Sequence, residues 1–136
     1  MTLVGMSQAE FDTVRRRPWE FHLFDCIAPW SLPEYANGFD VVTAIGCFGL
    51  AQDQVHYASA FSAAAVNLRQ GSRSVGADWV RSAAFIKREG HDNSYVSGSL
   101  TKRCGAECGL SLLNCTYVKI QSDPYYDAVL VWAFSA

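Results

Sequence analysis

Three short apolar runs set the terms on which this chain can fold: Thr2–Ser7 (TLVGMS), Trp19–Asp25 (WEFHLFD) and Phe39–Ala44 (FDVVTA). Each ends at a polar or small residue, and a helix or turn separates it from the next. That alternation is the α/β pattern. Parallel strands need a crossover between neighbours, and ligand chemistry collects where the strands end. No strand followed by G-x-G-x-x-G or a similar glycine cluster precedes the first run. The usual nucleotide-cradling turn is therefore not among the sequence signals.

Local signals place the other elements. Ser7 followed three residues later by Glu10 predicts a capping box opening a helix over Gln8–Arg17, which Pro18 stops. Trp19–Phe24 reads as a second strand. Asp25–Gly38, with Pro29, Pro33, Asn37 and Gly38, reads as a loop with room for one helical turn. Phe39–Ala44 is nearly continuous in apolar residues, which predicts burial on both faces. A helix is expected over Asp53–Leu68, with Val55, Ala58, Phe61, Ala65 and Leu68 inward. Asn67–Ser72 is expected to turn into a strand at Arg73–Trp79, and polar Lys87–Asp92 to form a flap. Ser94–Gly109 reads as a helix capped by Gly109. The strands Thr116–Gln121 and Ala128–Phe134 lie so close in sequence that they predict an antiparallel hairpin.

The chain has 136 residues, half of them apolar and 18% charged, which fits one globular domain over residues 1–136 and argues against disorder. A net charge of −2 offers no broad footprint for nucleic acid. Arg15-Arg16-Arg17 reads as a helix end, where positive side chains favour the dipole. The longest apolar stretch, Val41–Ala51, is shorter than the about 20 residues a bilayer span needs, so no membrane contact is expected. The first residues lack the basic-then-apolar order of a secretory leader. With five cysteines, this predicts a cytoplasmic protein with reduced thiols. Asn114-Cys115-Thr116 has the form of a glycosylation sequon but falls in an expected strand. Cys104, Cys108 and Cys115 lack a well-placed fourth ligand, so they read as packing residues and no metal is expected.

The order LVGMSQAEF (Leu3–Phe11), F-x-x-x-D-C-I-A-P-W-S-L-P (Phe21–Pro33), G-F-D-V-V-T-A (Gly38–Ala44), N-L-R-Q-G-S (Asn67–Ser72) and Y-D-A-V-L-V-W-A (Tyr126–Ala133) resembles the class I S-adenosylmethionine-dependent methyltransferases. The resemblance implies a Rossmann-like three-layer α/β sandwich, mostly parallel, with an antiparallel C-terminal hairpin. Against that family the first strand and glycine-rich loop are missing, so the fold is expected to be incomplete on its N-terminal side. The strands Thr2–Ser7 and Phe39–Ala44 would then pair directly, swap with a second copy, or take a strand from a partner chain. A homo-oligomer or a sheet-completing partner is expected.

The resemblance also implies a site. The ribose-binding acid of the family falls at Met6-Ser7, where Ser7 offers a hydroxyl instead of a carboxylate. Asp25, with Cys26 and Ile27, falls beside the adenine; the competing reading of Asp25 is an Asx turn. Ala44, Gly46, Cys47 and Phe48 follow the pocket strand; the Phe48 ring suits an apolar wall but reads first as buried core. Asp78 and Trp79 end another strand and together suit an amine, by charge and cation–π contact. The bland alternative is an Asp78–Arg81 pair. Tyr95 is a candidate pocket wall or a helix-start packing residue. Of three histidines, His91 is the candidate general base, whereas His22 and His56 read as core or surface residues. The cofactor implied is S-adenosylmethionine and the reaction methyl transfer to a small-molecule amine or hydroxyl. A non-catalytic methyltransferase-like subunit is the alternative, and a cyclase-like small-molecule binder a third reading.

Overall fold

The computed structural model describes residues 7–15, 25–27 and 33–136. Within them the order is α1 (Gln8–Arg15), β1 (Phe39–Ile45), α2 (Gln54–Ala65), β2 (Leu68–Arg81), α3 (Ala83–Glu89), α4 (Gly98–Glu107), β3 (Ser111–Lys119) and β4 (Tyr126–Ser135), with 3-10 turns at Pro33–Tyr35 and Phe48–Leu50. The strands run β1-β2-β4-β3 across one sheet. β1 and β2 are parallel and joined through α2, while β4 is antiparallel to both β2 and β3. The chain thus combines a βαβ unit with the expected C-terminal hairpin. Apart from Ser7 and Asp25, the apolar runs at Thr2–Ser7 and Trp19–Asp25 lie outside the described residues.

Short-range chemistry sets the helix ends. Ser7 N–H donates to the Glu10 carboxylate at 2.7 Å and Glu10 N–H to the Ser7 hydroxyl at 3.3 Å, the reciprocal capping box at the start of α1. Asp53 caps α2 by accepting from Val55 N–H and His56 N–H. Ser82 and Ser97 do the same for α3 and α4. Gly90 closes α3 in the left-handed region at φ +76°, a conformation that a Cβ disfavours.

The core lies between the sheet and the α2–α4 layer. Along β2, residues 72, 74, 76, 78 and 80 are buried, and along β4 residues 128, 130, 132 and 134, the period of two that a pleated strand imposes. Trp132 is the centre of an aromatic cluster, 5.1 Å from Phe61, 5.9 Å from Phe134 and stacked on Phe48 at 6.1 Å. Each such pair adds roughly 0.5–1.5 kcal/mol beyond area burial. The indole needs space, and Gly76 supplies it: a Cβ there would lie 2.2 Å from the ring and 2.5 Å from the Ala44 carbonyl oxygen.

Several sequence expectations are corrected. α2 buries Tyr57, Ala60, Phe61 and Ala64, whereas Val55, expected inward, is 75% exposed. β2 begins at Leu68, so Asn67–Ser72 is mostly strand, kinked at Gly71 with φ +78°. The expected Lys87–Asp92 flap begins as the last turn of α3. β1 is not covered on both faces among the described residues: Val41 is 53% and Ile45 65% exposed. A groove of about 310 Å³, lined by Ile45, Val75, Ala77 and Val131, runs along that open face.

Candidate functional site

In an open α/β sheet the chemistry gathers beyond the carboxyl ends of parallel strands. Here that place is the rim where β1 and β2 end. Gly46 carries the ladder one residue past β1, donating its N–H to the Ala77 carbonyl at 2.8 Å. It does so at φ +68°, with the Trp79 ring where a Cβ would sit 3.1 Å away. The chain then turns through Cys47 into the 3-10 turn Phe48–Leu50.

That turn is clamped at Gly49 from both sides. Asp78 Oδ1 accepts the Gly49 N–H at 2.8 Å, and Asn93 Nδ2 donates to the Gly49 carbonyl at 3.1 Å. Asn93 also donates to the Trp79 carbonyl at 2.7 Å and accepts from the Arg81 N–H at 2.9 Å. One buried amide thereby ties the end of β2 to the loop after β1. Asp78 is fully buried, and its second oxygen accepts from the Tyr57 hydroxyl at 3.0 Å and from Trp132 Nε1 at 3.2 Å. Burial pushes its carboxyl above the ordinary value, and the three hydrogen bonds only partly offset that. Burial and the neighbouring Asp78 push the Tyr57 phenol up as well; its hydroxyl also meets Thr101 Oγ1 at 2.9 Å.

Between the clamped loop and β2 lies a cavity of about 70 Å³. It is lined by Gly46, Gly49 and Leu50 from the loop after β1, Trp79 and Arg81 from β2, Asn93, and Tyr126 from β4. The Arg81 guanidinium lies 4.9 Å from the Phe85 ring centroid, and its Nη1 donates to the His91 carbonyl at a long 3.4 Å. Tyr95 stands nearby. Its hydroxyl donates to the Ala51 carbonyl at 2.5 Å, and burial, then Asp78, push its phenol up to about 12.

The structure sorts the candidate residues. Gly46 and Trp79 line the cavity. Asp78 and Trp79 do not act together as expected: as neighbours on a strand they point to opposite faces, so the carboxylate joins the core and only the indole meets the cavity. The alternative Asp78–Arg81 pair does not form either, for the same reason. Phe48 is 4% exposed and belongs to the aromatic core, not to a substrate wall. Ala44 is buried beneath the helical layer. The Ser7 hydroxyl is engaged with Glu10 in the capping box. Asp25 accepts from the Ile27 N–H at 3.1 Å, an Asx turn, and its side chain is otherwise exposed. The Cys26 thiol neighbours Cys47; burial, then Cys47, raise it. Cys47 Sγ donates to the Ile45 carbonyl at 3.5 Å. Tyr95 is half-buried near the rim. His91 Nε2 is buried with no hydrogen-bond partner among the described residues, and its ring is not part of the cavity wall. His56 pairs with Asp53 on the surface, and His22 lies outside the described residues. Asn93 was not anticipated: in Asp92-Asn93-Ser94 it reads as an ordinary turn residue, and its partners lie up to 44 positions away.

The fold is the Rossmann-like fold of the class I S-adenosylmethionine-dependent methyltransferases. No family model matches the sequence, and no curated protein matches it; the likeness is carried by solved structures. The N-methyltransferase NodS from Bradyrhizobium japonicum, in complex with S-adenosyl-L-homocysteine, is similar over 92% of this chain and 58% of its own, at TM-score 0.63 and 18% identity. A methyltransferase dependent on S-adenosylmethionine from Methanosarcina mazei is similar over 95% of this chain and 78% of its own, at TM-score 0.58 and 11% identity. The complex of the Haloferax volcanii Trm112 methyltransferase activator with a candidate methyltransferase gives TM-score 0.63 at 14% identity, over 96% of this chain and 69% of the matched one. The chain thus spans a little over half the length of NodS.

Proposed function

We propose that this chain is the acceptor-side portion of an S-adenosylmethionine-dependent methyltransferase acting on a small molecule. The observation that carries the reading is the cavity at the carboxyl rim of the one described parallel pair, in a fold shared with methyltransferases over more than nine-tenths of the chain. Methyl transfer needs little from the protein beyond placing the acceptor, excluding water and, for some acceptors, holding a proton. Here Gly46 permits close backbone approach, Trp79 and Tyr126 supply apolar walls, and the Asp78–Gly49–Asn93 clamp keeps the loop in place.

The cavity is far below the roughly 300 Å³ at which pockets for drug-sized ligands begin. This cavity therefore fits an acceptor group and not the whole cofactor. Asp25, with one carboxylate oxygen in its Asx turn, is the candidate for the adenine side, and Ser7, Cys26 and Ile27 accompany it. His91 would handle a proton only after its ring turned toward the rim. A cytoplasmic setting with reduced thiols suits this reading.

The second reading is a non-catalytic subunit that pairs with itself or with another chain. It is favoured by the open apolar face of the sheet, where Val41 is exposed on β1 and Ile45 and Val131 border a 310 Å³ groove. The activator complex among the similar structures makes a partner chain reasonable. Titration calorimetry with S-adenosylhomocysteine separates the two. Micromolar binding by the isolated chain supports the transferase reading. Absence of heat at millimolar ligand, with a dimer by light scattering, favours the pairing role.

A further inference from the structure

We propose that the cavity is an anion subsite in which Arg81 grips the carboxylate of a small, flat acidic molecule. Arg81 is half-buried in the cavity wall, and no carboxylate among the described residues pairs with it. The four ion pairs there use His56, Arg69, Arg88 and Arg103 instead. Its guanidinium is a planar fork of donors that a carboxylate matches. The Phe85 ring at 4.9 Å satisfies charge but no hydrogen bond, and the His91 carbonyl at 3.4 Å accepts one weak bond. Of the wall's neutral polar side chains, Asn93 spends its donors on Trp79 and Gly49 and its acceptor on Arg81 N–H. Arg81 is thus the charged group left to recognise a ligand, with the Trp79 indole N–H and the Tyr126 hydroxyl as neutral polar groups beside it.

The sign of the charge follows from the strand. Asp78, the negative group nearest in sequence, faces the opposite side and is saturated by three donors. Arg81 is the one charged residue among those lining the cavity, which disfavours the amine read from sequence. Size sets the rest: about 70 Å³, lined in part by Trp79 and Tyr126, holds one head group, and guanidinium meets carboxylate with two parallel hydrogen bonds. As an acceptor subsite this rests on the transferase reading; as an anion site it does not.

The test is a titration of the full chain with benzoate, benzylamine and inorganic phosphate, followed by NMR at the Trp79 indole N–H and Arg81 Nε–H. Benzoate is expected to shift both signals saturably, with benzylamine inert and phosphate weaker. Arg81→Gln should weaken benzoate by about tenfold or more, with Arg81→Lys between, as expected for loss of one charge-assisted fork. Unchanged signals with benzoate, equal binding of benzylamine, tighter binding of phosphate, or undiminished affinity in a folded Arg81→Gln would each overturn it. If Arg81→Gln does not fold, the wild-type comparison of benzoate with benzylamine decides alone. Because no cofactor is present, failure here is separate from failure of the S-adenosylhomocysteine titration.

Discussion

The Asp78 carboxylate holds the Gly49 backbone N–H at 2.8 Å across 29 positions of sequence. This single bond couples the buried face of β2 to the loop that follows β1. The loop's geometry at the rim is therefore set from inside the core.

Asp78→Asn tests that coupling. The amide keeps one acceptor oxygen where the carboxylate has two, so at least one of the three donors loses its partner. An unsatisfied buried donor costs about 1–3 kcal/mol, to be read in urea denaturation at pH 7. The pH dependence has a definite sign. Because burial raises the folded pKa, the folded state holds its proton more tightly than the unfolded chain. Asp78 therefore costs nothing below the unfolded value and weakens the fold as pH rises toward the folded one. Asp78→Asn should lack that component, giving a flatter stability profile upward from about pH 4.

Gly76→Ala should be far more damaging than Gly90→Ala, although both remove a glycine. At Gly76 the new methyl meets the Trp132 ring at 2.2 Å and the Ala44 carbonyl oxygen at 2.5 Å. Overpacking of this kind costs about 1–3 kcal/mol or more. Gly90 has nothing within 4 Å, only its φ of +76°, so about 1 kcal/mol is expected there. Thermal unfolding of the two variants, side by side, makes the comparison.

Asn93→Ala should loosen the rim more than it unfolds the protein. Three backbone groups, Gly49 C=O, Trp79 C=O and Arg81 N–H, lose their shared partner. Hydrogen exchange is expected to rise at Arg81 and along Phe48–Leu50 while the β2–β4 amides stay protected. Equal loss of protection everywhere would show a global effect.

Cys104 should resist alkylation. It is 1% exposed, and burial pushes its thiol up to about 11, so little thiolate forms near neutrality. Mass spectrometry after iodoacetamide at pH 8 should find Cys104 unmodified in the native protein and modified in urea.

What the sequence revealed tracks the range of the interactions involved. The Ser7–Glu10 box and the C-terminal hairpin depend on neighbours within a few residues, and both were legible. The inward face of α2 was not, because alanines surround the helix and leave little contrast between Val55 and Tyr57. β2 hid its start behind the polar residues and the Gly71 kink of Asn67–Ser72, which read as a turn. Within the strand, Gly76 is small because the Trp132 ring from β4 lies against it. The site suffered in the same way. Asp78 and Trp79 read as a pair because both close the expected strand Arg73–Trp79. Yet the period of two already sends adjacent residues to opposite faces, and only the packing shows which face holds the core. Asn93 and Arg81 acquire meaning only when distant backbone comes to them.

The alternation along β2 has a last consequence. Substitutions at Ser72, Ser74, Gly76, Asp78 and Val80 disturb how the protein holds itself up, whereas those at Trp79 and Arg81 reshape the cavity wall. If that wall receives a ligand as proposed, changing every second letter of a single ribbon exchanges one clientele for another and leaves the scaffold beneath untouched.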